Sequence, residues 1–252
     1  MVSRFSVFLF ILACSPVFAQ EIILTSDMHH LRQGSSREWA DFPELPESDH
    51  LQVNFALPET GAKWTLRLRQ QDVRQDWRIL LNGREVGRLP VDENDMQVAF
   101  SVSSSMLVQG ENTLRIQSRS TRGPDDIRVG QVQLVARETE RVLGEATLEV
   151  LVRDETGQPV ATPCRLTIVN ESGTLIQTGA RSNDHLAVRP GTIYTSTGTA
   201  LIPVPAGTYT VFAGRGFEYS LAQASVTLKV GDEKQLRLAI RREVPTGGYV
   251  AC

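Results

Sequence analysis

The chain is predicted to be all-β, with two sandwich-type modules in tandem. Three observations lead there. Short segments with strict apolar/polar alternation fill the stretch from Leu51 to Ala136 and resume at Ala146. They are separated at close intervals by Gly, Asn, Asp and Pro turn chemistry, and no helical periodicity of comparable length competes with them. Finally, 252 residues suit two modules of about 100–120 residues, each large enough to bury a core.

Taken in order, Arg4 precedes the apolar run Phe5 to Ala13, and Ser15-Pro-Val-Phe-Ala19 supplies a cleavage pattern. This predicts an export signal over 1–19, cut after Ala19, and a periplasmic or extracellular protein. The run is shorter than the ~20 residues needed to cross a bilayer. The alternative is a lipoprotein anchored through Cys14, since Ile11-Leu-Ala-Cys14 loosely resembles a lipobox. Residues Glu21 to Asp49 read as an edge strand, starting at Ile22-Ile-Leu24, and a long polar loop closed by Pro43 and Pro46. Asp27, His29 and His30 are of metal-ligand type, but adjacent histidines on an extended chain point to opposite sides, and a solvated loop is expected.

The first module spans 20–137. Trp64, Leu66 and Leu68 share one face; Trp77, Ile79 and Leu81 repeat the pattern, as do Met96, Val98, Phe100 and Val102. Asn82-Gly83 predicts a type I′ hairpin, which needs positive φ at both central residues. Near Gly130 the apolar phase slips from Ile127 and Val129 to Val132 and Leu134, predicting a β-bulge. These strands make a jelly-roll type sandwich the natural reading. Residues 138–145, opening with the charged run after Arg137, read as a linker. The second module, 146–243, alternates strands with the turns Asp154 to Gly157, Asn170 to Gly173 and Gly231-Asp232, as in a small Ig-like or transthyretin-like sandwich. With the signal removed, Cys164 and Cys252 remain, either as a disulfide or with Cys164 buried and unpaired.

The central element of the second module is Pro203 to Tyr219. Tyr209, Val211 and Ala213 form its core-facing phase, and Gly214 and Gly216 free the backbone around Arg215 to take positive φ. Arg215, Phe217, Glu218 and Tyr219 are the candidate binding residues, read either as a docking corner between domains or as a strand-end bulge.

Lys and Arg total 26 against 29 Asp and Glu, interspersed, so no nucleic-acid footprint is visible. The chain has no G-x-S-x-G elbow, phosphate loop, H-x-H or H-E-x-x-H motif. Asp125-Asp126 offers two carboxylates for acid/base work, but strand neighbours diverge; a calcium held by Asp126 and loop carbonyls is a further alternative to simple solvation. Carbohydrate binding would need exposed aromatic rings, yet Trp64 and Trp77 are in phase with the core and only Trp39 is unpatterned.

Arg69-Gln-Gln-Asp-Val73, Trp77 to Gly83, Gly110-Glu-Asn112 and Asp125 to Gly130 resemble the galactose-binding-like N-terminal module of the CehA/McbA family of metallohydrolases. Arg189-Pro-Gly191, Ile193-Tyr-Thr195, Pro205-Ala-Gly207, Arg215 to Tyr219 and the closing Arg241 to Ala251 resemble the carboxypeptidase-regulatory-like segment that precedes a polymerase-and-histidinol-phosphatase (PHP) domain. The resemblance implies an exported, non-catalytic accessory region, with 244–252 leading into a hydrolase domain that holds a divalent metal. No metal or cofactor residue carries over to this chain. The implied partner is the PHP domain in cis, with carbohydrate as a second candidate. The rival reading is a free-standing carbohydrate- or cell-envelope-binding β-sandwich protein.

Overall fold

Alternation becomes strands throughout the computed structural model, which describes residues 21–60, 63–120, 122–245 and 247. The export signal, lipobox and Cys252 lie outside these residues. The first core is built by β1 (Glu21–Gln33), β2 (His50–Leu57), β3 (Trp64–Gln71), β4 (Trp77–Leu81), β5 (Arg84–Arg88), β6 (Met96–Val102), β7 (Gly110–Ser118) and β8 (Asp125–Val135). Strands ordered β1-β8-β3-β6 face a four-stranded sheet ordered β2-β7-β4-β5. Trp64, Leu66, Leu68, Trp77, Ile79, Leu114, Ile116 and Val129 fill the space between them. Both tryptophans that share phase with aliphatic neighbours are fully buried.

The Asn82-Gly83 hairpin forms as expected, with φ of 49° and 78°. The bulge forms too: pairing slips between Arg67 and Arg69 on β3 and between Thr25 and Met28 on β1, both opposite the Gly130 region of β8. Here a glycine is required, because a Cβ on Gly130 would stand 1.9 Å from the Asp27 carbonyl oxygen.

A helical turn, α1 (Thr139–Val142), follows. The charged run read as a linker is thus ordered, and Val142 beside it is buried. The second core comprises β9 (Ala146–Asp154), β10 (Val160–Ala161), β11 (Cys164–Asn170), β12 (Leu175–Ile176), β13 (Leu186–Arg189), β14 (Thr192–Thr195), β15 (Thr199–Val204), β16 (Gly207–Gly214), β17 (Ala222–Leu228) and β18 (Glu233–Ile240). Leu148, Val150, Leu166, Ile168, Ile202 and Val211 pack between its two sheets. The Tyr209 hydroxyl donates to the Pro205 carbonyl at 2.8 Å, pinning the turn that launches β16.

The two cores share a sheet. Strand β12 pairs antiparallel with β11 and parallel with β6, which makes one ten-stranded sheet of both. The Asp95 carboxylate accepts from Arg69 at 2.5 and 2.8 Å, and from the Thr174 hydroxyl at 3.3 Å, across this junction. Glu145 pairs with Arg137 and accepts from the Ala206 amide at 2.9 Å.

Asp125 and Asp126 are fully buried, not solvated. Strand β1 also runs past Ile22-Ile-Leu24 through both histidines, so the polar loop begins later than the sequence implied. His29 and His30 do diverge: His29 meets Glu47 at 2.9 Å, while His30 Nε2 meets Asp126 at 2.6 Å and its ring stacks on Phe42. Asp126 also accepts from Arg32 Nε at 2.7 Å and from the Glu38 amide at 2.6 Å. A calcium there would have to displace a buried guanidinium, and no cluster of metal-ligating side chains is found among the described residues. Asp125 accepts from Trp77 Nε1 at 2.6 Å and from the Arg74 and Gln75 amides.

Burial by itself raises a carboxyl pKa, and at Asp125 it wins despite the Trp77 hydrogen bond. At Asp126 burial is outweighed by the Glu38 amide, His30 and Arg32, which hold the carboxyl below its ordinary value. Asp126 therefore stabilises the fold above the ordinary carboxylate pKa, and this contribution is lost as pH falls through its lower folded value. Asp126→Asn leaves Arg32 buried without its counter-charge and is expected to cost ~3–5 kcal/mol at neutral pH. In urea unfolding as a function of pH, the gap between wild type and variant should narrow below the ordinary carboxylate range. Gly130→Ala should cost ~1–3 kcal/mol or more by the same measurement, because the obstacle is backbone.

Candidate functional site

Strand β16 lies between β11 and β17, with Tyr209, Val211 and Ala213 buried as their phase required. The chain then turns at Gly216, where φ is +72°; Gly214 keeps ordinary strand geometry, so a single glycine makes the turn. The corner that follows holds all four candidate residues. Arg215 Nη1 donates to Thr162 Oγ1, and the guanidinium lies 5.3 Å from the centroid of the Tyr219 ring. Arg215 is thus engaged within its own core, and the side chain that projects outward is Phe217, 90% exposed. Glu218 pairs with Arg242 at 2.5 Å.

The corner also captures the segment that leaves the second core. Tyr219 bridges Arg242, the Ser220 amide donates to the Arg241 carbonyl at 2.8 Å, and the Glu218 carbonyl accepts from the amides of Glu243 and Val244 at 2.8 and 3.2 Å. Thr156 Oγ1 accepts from the Arg242 amide at 2.7 Å while donating to Asp154 at 2.5 Å. These Thr156 bonds, first the hydroxyl and then the amide, hold the Asp154 carboxyl below its ordinary value, with smaller help from Tyr219 and the Arg215 charge.

Beside the corner lies a cavity of about 650 Å³ lined by Cys164, His185, Tyr194, Ser196, Arg215 and Gly216, among others. Cys164 is buried with no disulfide partner among the described residues, and burial pushes its thiol pKa up to about 11, the Arg215 charge acting weakly the other way. At neutral pH it is a thiol, not a thiolate nucleophile. His185 Nδ1 lies 3.4 Å from Ser196 Oγ, and among the described residues no carboxylate orients that imidazole. What the arrangement offers is an apolar knob beside a cavity, suited to contact with another surface.

Sequence reasoning missed Arg32 and Glu38, and it did not join His30 to Asp126; with Glu38 half-buried at its edge, these residues form a polar cluster in the first core. The available signal was Asp125-Asp126 opening an apolar strand run, where charges survive only if paired.

The chain is an all-β protein with antiparallel and mixed sheets around two hydrophobic cores. No family model and no curated protein matches its sequence. Among solved structures it is similar to Bifidobacterium dentium β-glucuronidase complexed with coumarin-3-O-glucuronide, at 13% identity and TM-score 0.32 over 85% of this chain and 49% of that one. It is also similar to Ruminococcus gnavus β-glucuronidase, at 11% identity and TM-score 0.34 over 86% and 47%, and to the Bacillus anthracis TIE protein, at 15% and 0.29 over 86% and 41%. The chain thus spans less than half the length of each, and likeness of this size bears on neither activity nor ligand.

Because Arg215 has an internal partner, Arg215→Ala should lower stability by ~1–2 kcal/mol through the lost charged hydrogen bond and ring contact. Phe217→Ala, which removes only exposed surface, should leave the thermal midpoint within the error of differential scanning fluorimetry.

Proposed function

We propose that this chain is the exported, non-catalytic binding and positioning region of a CehA/McbA-like PHP metallohydrolase. On this reading the first core is a galactose-binding-like sandwich and the second a carboxypeptidase-regulatory-like one. The observation that carries the reading is the placement of Phe217: it stands exposed where residues 241–244 leave the second core. The segment that would lead to a domain joined in cis therefore passes the corner that carries Phe217 as it leaves the second core. The divalent metal and the water-activating ligands belong to that domain, and this chain orients and shields it.

The rival reading, a free-standing carbohydrate-binding protein, rests on Trp39, which is half exposed with the Arg74 guanidinium 4.9 Å from its centroid. The reading frame beyond the codon for Cys252 separates the two. An Asp-x-His-x-His motif immediately downstream is expected, and a stop codon there would exclude the parent-enzyme reading. With that downstream domain expressed separately, calorimetric titration should show Phe217→Ala weakening its association with this chain about tenfold, as loss of an aromatic anchor does. Equal affinities would leave the corner a purely structural turn.

A further inference from the structure

At the end of the first core where β8 begins, three connections converge on a concave cleft of about 640 Å³. Residues 74–76 between β3 and β4 form one wall, Arg88, Leu89 and Val91 at and after the end of β5 another, and Arg119, Ser120 and Arg122 between β7 and β8 the third. Four arginines, Arg74, Arg88, Arg119 and Arg122, line it against one acidic residue, Asp76. The whole chain carries a formal charge of −3, so this basic concentration is not a by-product of composition.

The four arginines divide into two kinds. Arg74 is held by Glu38 and Glu93, and Arg88 by Glu85 and Asp76. Arg119 and Arg122 are exposed, and among the described residues neither guanidinium has a carboxylate partner. Two unneutralised charges therefore face one concavity.

The walls are fixed by the protein's own bonds. The Arg119 amide donates to the Asp76 carbonyl at 2.9 Å and the Leu89 amide to the Trp77 carbonyl at 2.9 Å, which ties the three connections together. Buried Asp125 receives the amides of Arg74 and Gln75, and Gln75 Nε2 donates to the Pro124 carbonyl at 3.2 Å. Ser120 Oγ, in the lining, accepts from the Arg122 amide at 3.0 Å, and this leaves its O–H to donate.

We infer that this cleft binds a phosphate dianion, free or at the end of a phosphomonoester, through Arg119, Arg122 and the Ser120 hydroxyl. Two unpaired guanidinium groups match a ligand with two negative charges, and the planar donor fork suits tetrahedral oxyanions in bidentate geometry. A singly charged carboxylate leaves one arginine without a counter-charge. The inference stands independently of the docking corner.

The test is calorimetric titration of the full chain at low ionic strength and pH 8 with inorganic phosphate, phenyl phosphate and, as the singly charged comparison, acetate. Saturable binding of a phosphate species is expected, with acetate about tenfold weaker or more. Phenyl phosphate binding would identify the ligand as an ester, and binding of inorganic phosphate alone would identify it as the free anion. The double variant Arg119→Gln/Arg122→Gln should weaken binding about tenfold or more while unfolding at the parent temperature. Arg181→Gln, which removes an exposed arginine elsewhere, should bind as the parent does. Absence of saturable binding by both phosphate species, equal affinity for acetate, or equal weakening by Arg181→Gln would overturn the inference.

Discussion

The buried contact of Asp126 with Arg32 and His30 is the constraint on which the first core depends. Strand β1 lies at the edge of its sheet, paired with β8 along its length and on the other side only through the short bridge of Leu31 to Ser48, and its polar sequence offers few apolar anchors. The Asp126 carboxylate fastens it to β8 and, through the Glu38 amide, fastens the loop after it. Arg32 also donates from Nη1 to the Glu44 carbonyl and from Nη2 to the Pro43 carbonyl, so the loop returns over the same charge. Taking these groups out of water costs several kcal/mol per ion, and the arrangement holds because almost every donor and acceptor is matched.

Asp125 shows how a strand puts adjacent residues to different uses. Its carboxylate points away from that of Asp126 and collects the amides of residues 74 and 75 with the Trp77 indole. One carboxyl is lowered by hydrogen bonds from the Glu38 amide, His30 and Arg32 while its neighbour is raised by burial, although the two residues are consecutive. Together they fix a loop on one side and a wall of the arginine-lined cleft on the other. The second core is held in relation to the first by backbone pairing of β6 with β12 and by Asp95 and Glu145, so the cleft and the Phe217 corner are parts of one framework.

The sequence by itself determined what local periodicity and turn chemistry encode. The alternating faces of β3, β4, β6 and β16, the Asn82-Gly83 hairpin and the slip at Gly130 were all legible, because each depends on residues within a few positions of one another. The corner was legible as an Arg between glycines, but not the fact that Thr162 and Tyr219 occupy that Arg. In sequence, His30 and Arg32 read as part of a solvated loop, since their partner Asp126 lies 96 and 94 positions away and only burial reveals the pairing. The shared sheet rests on two residues of β12, too few for any periodic signal, and four arginines spread from 74 to 122 form a cleft only when three loops meet. Those features were decided by the tertiary structure, because pairing of distant charges and edges depends on how the strands are stacked and not on any stretch of chain taken alone.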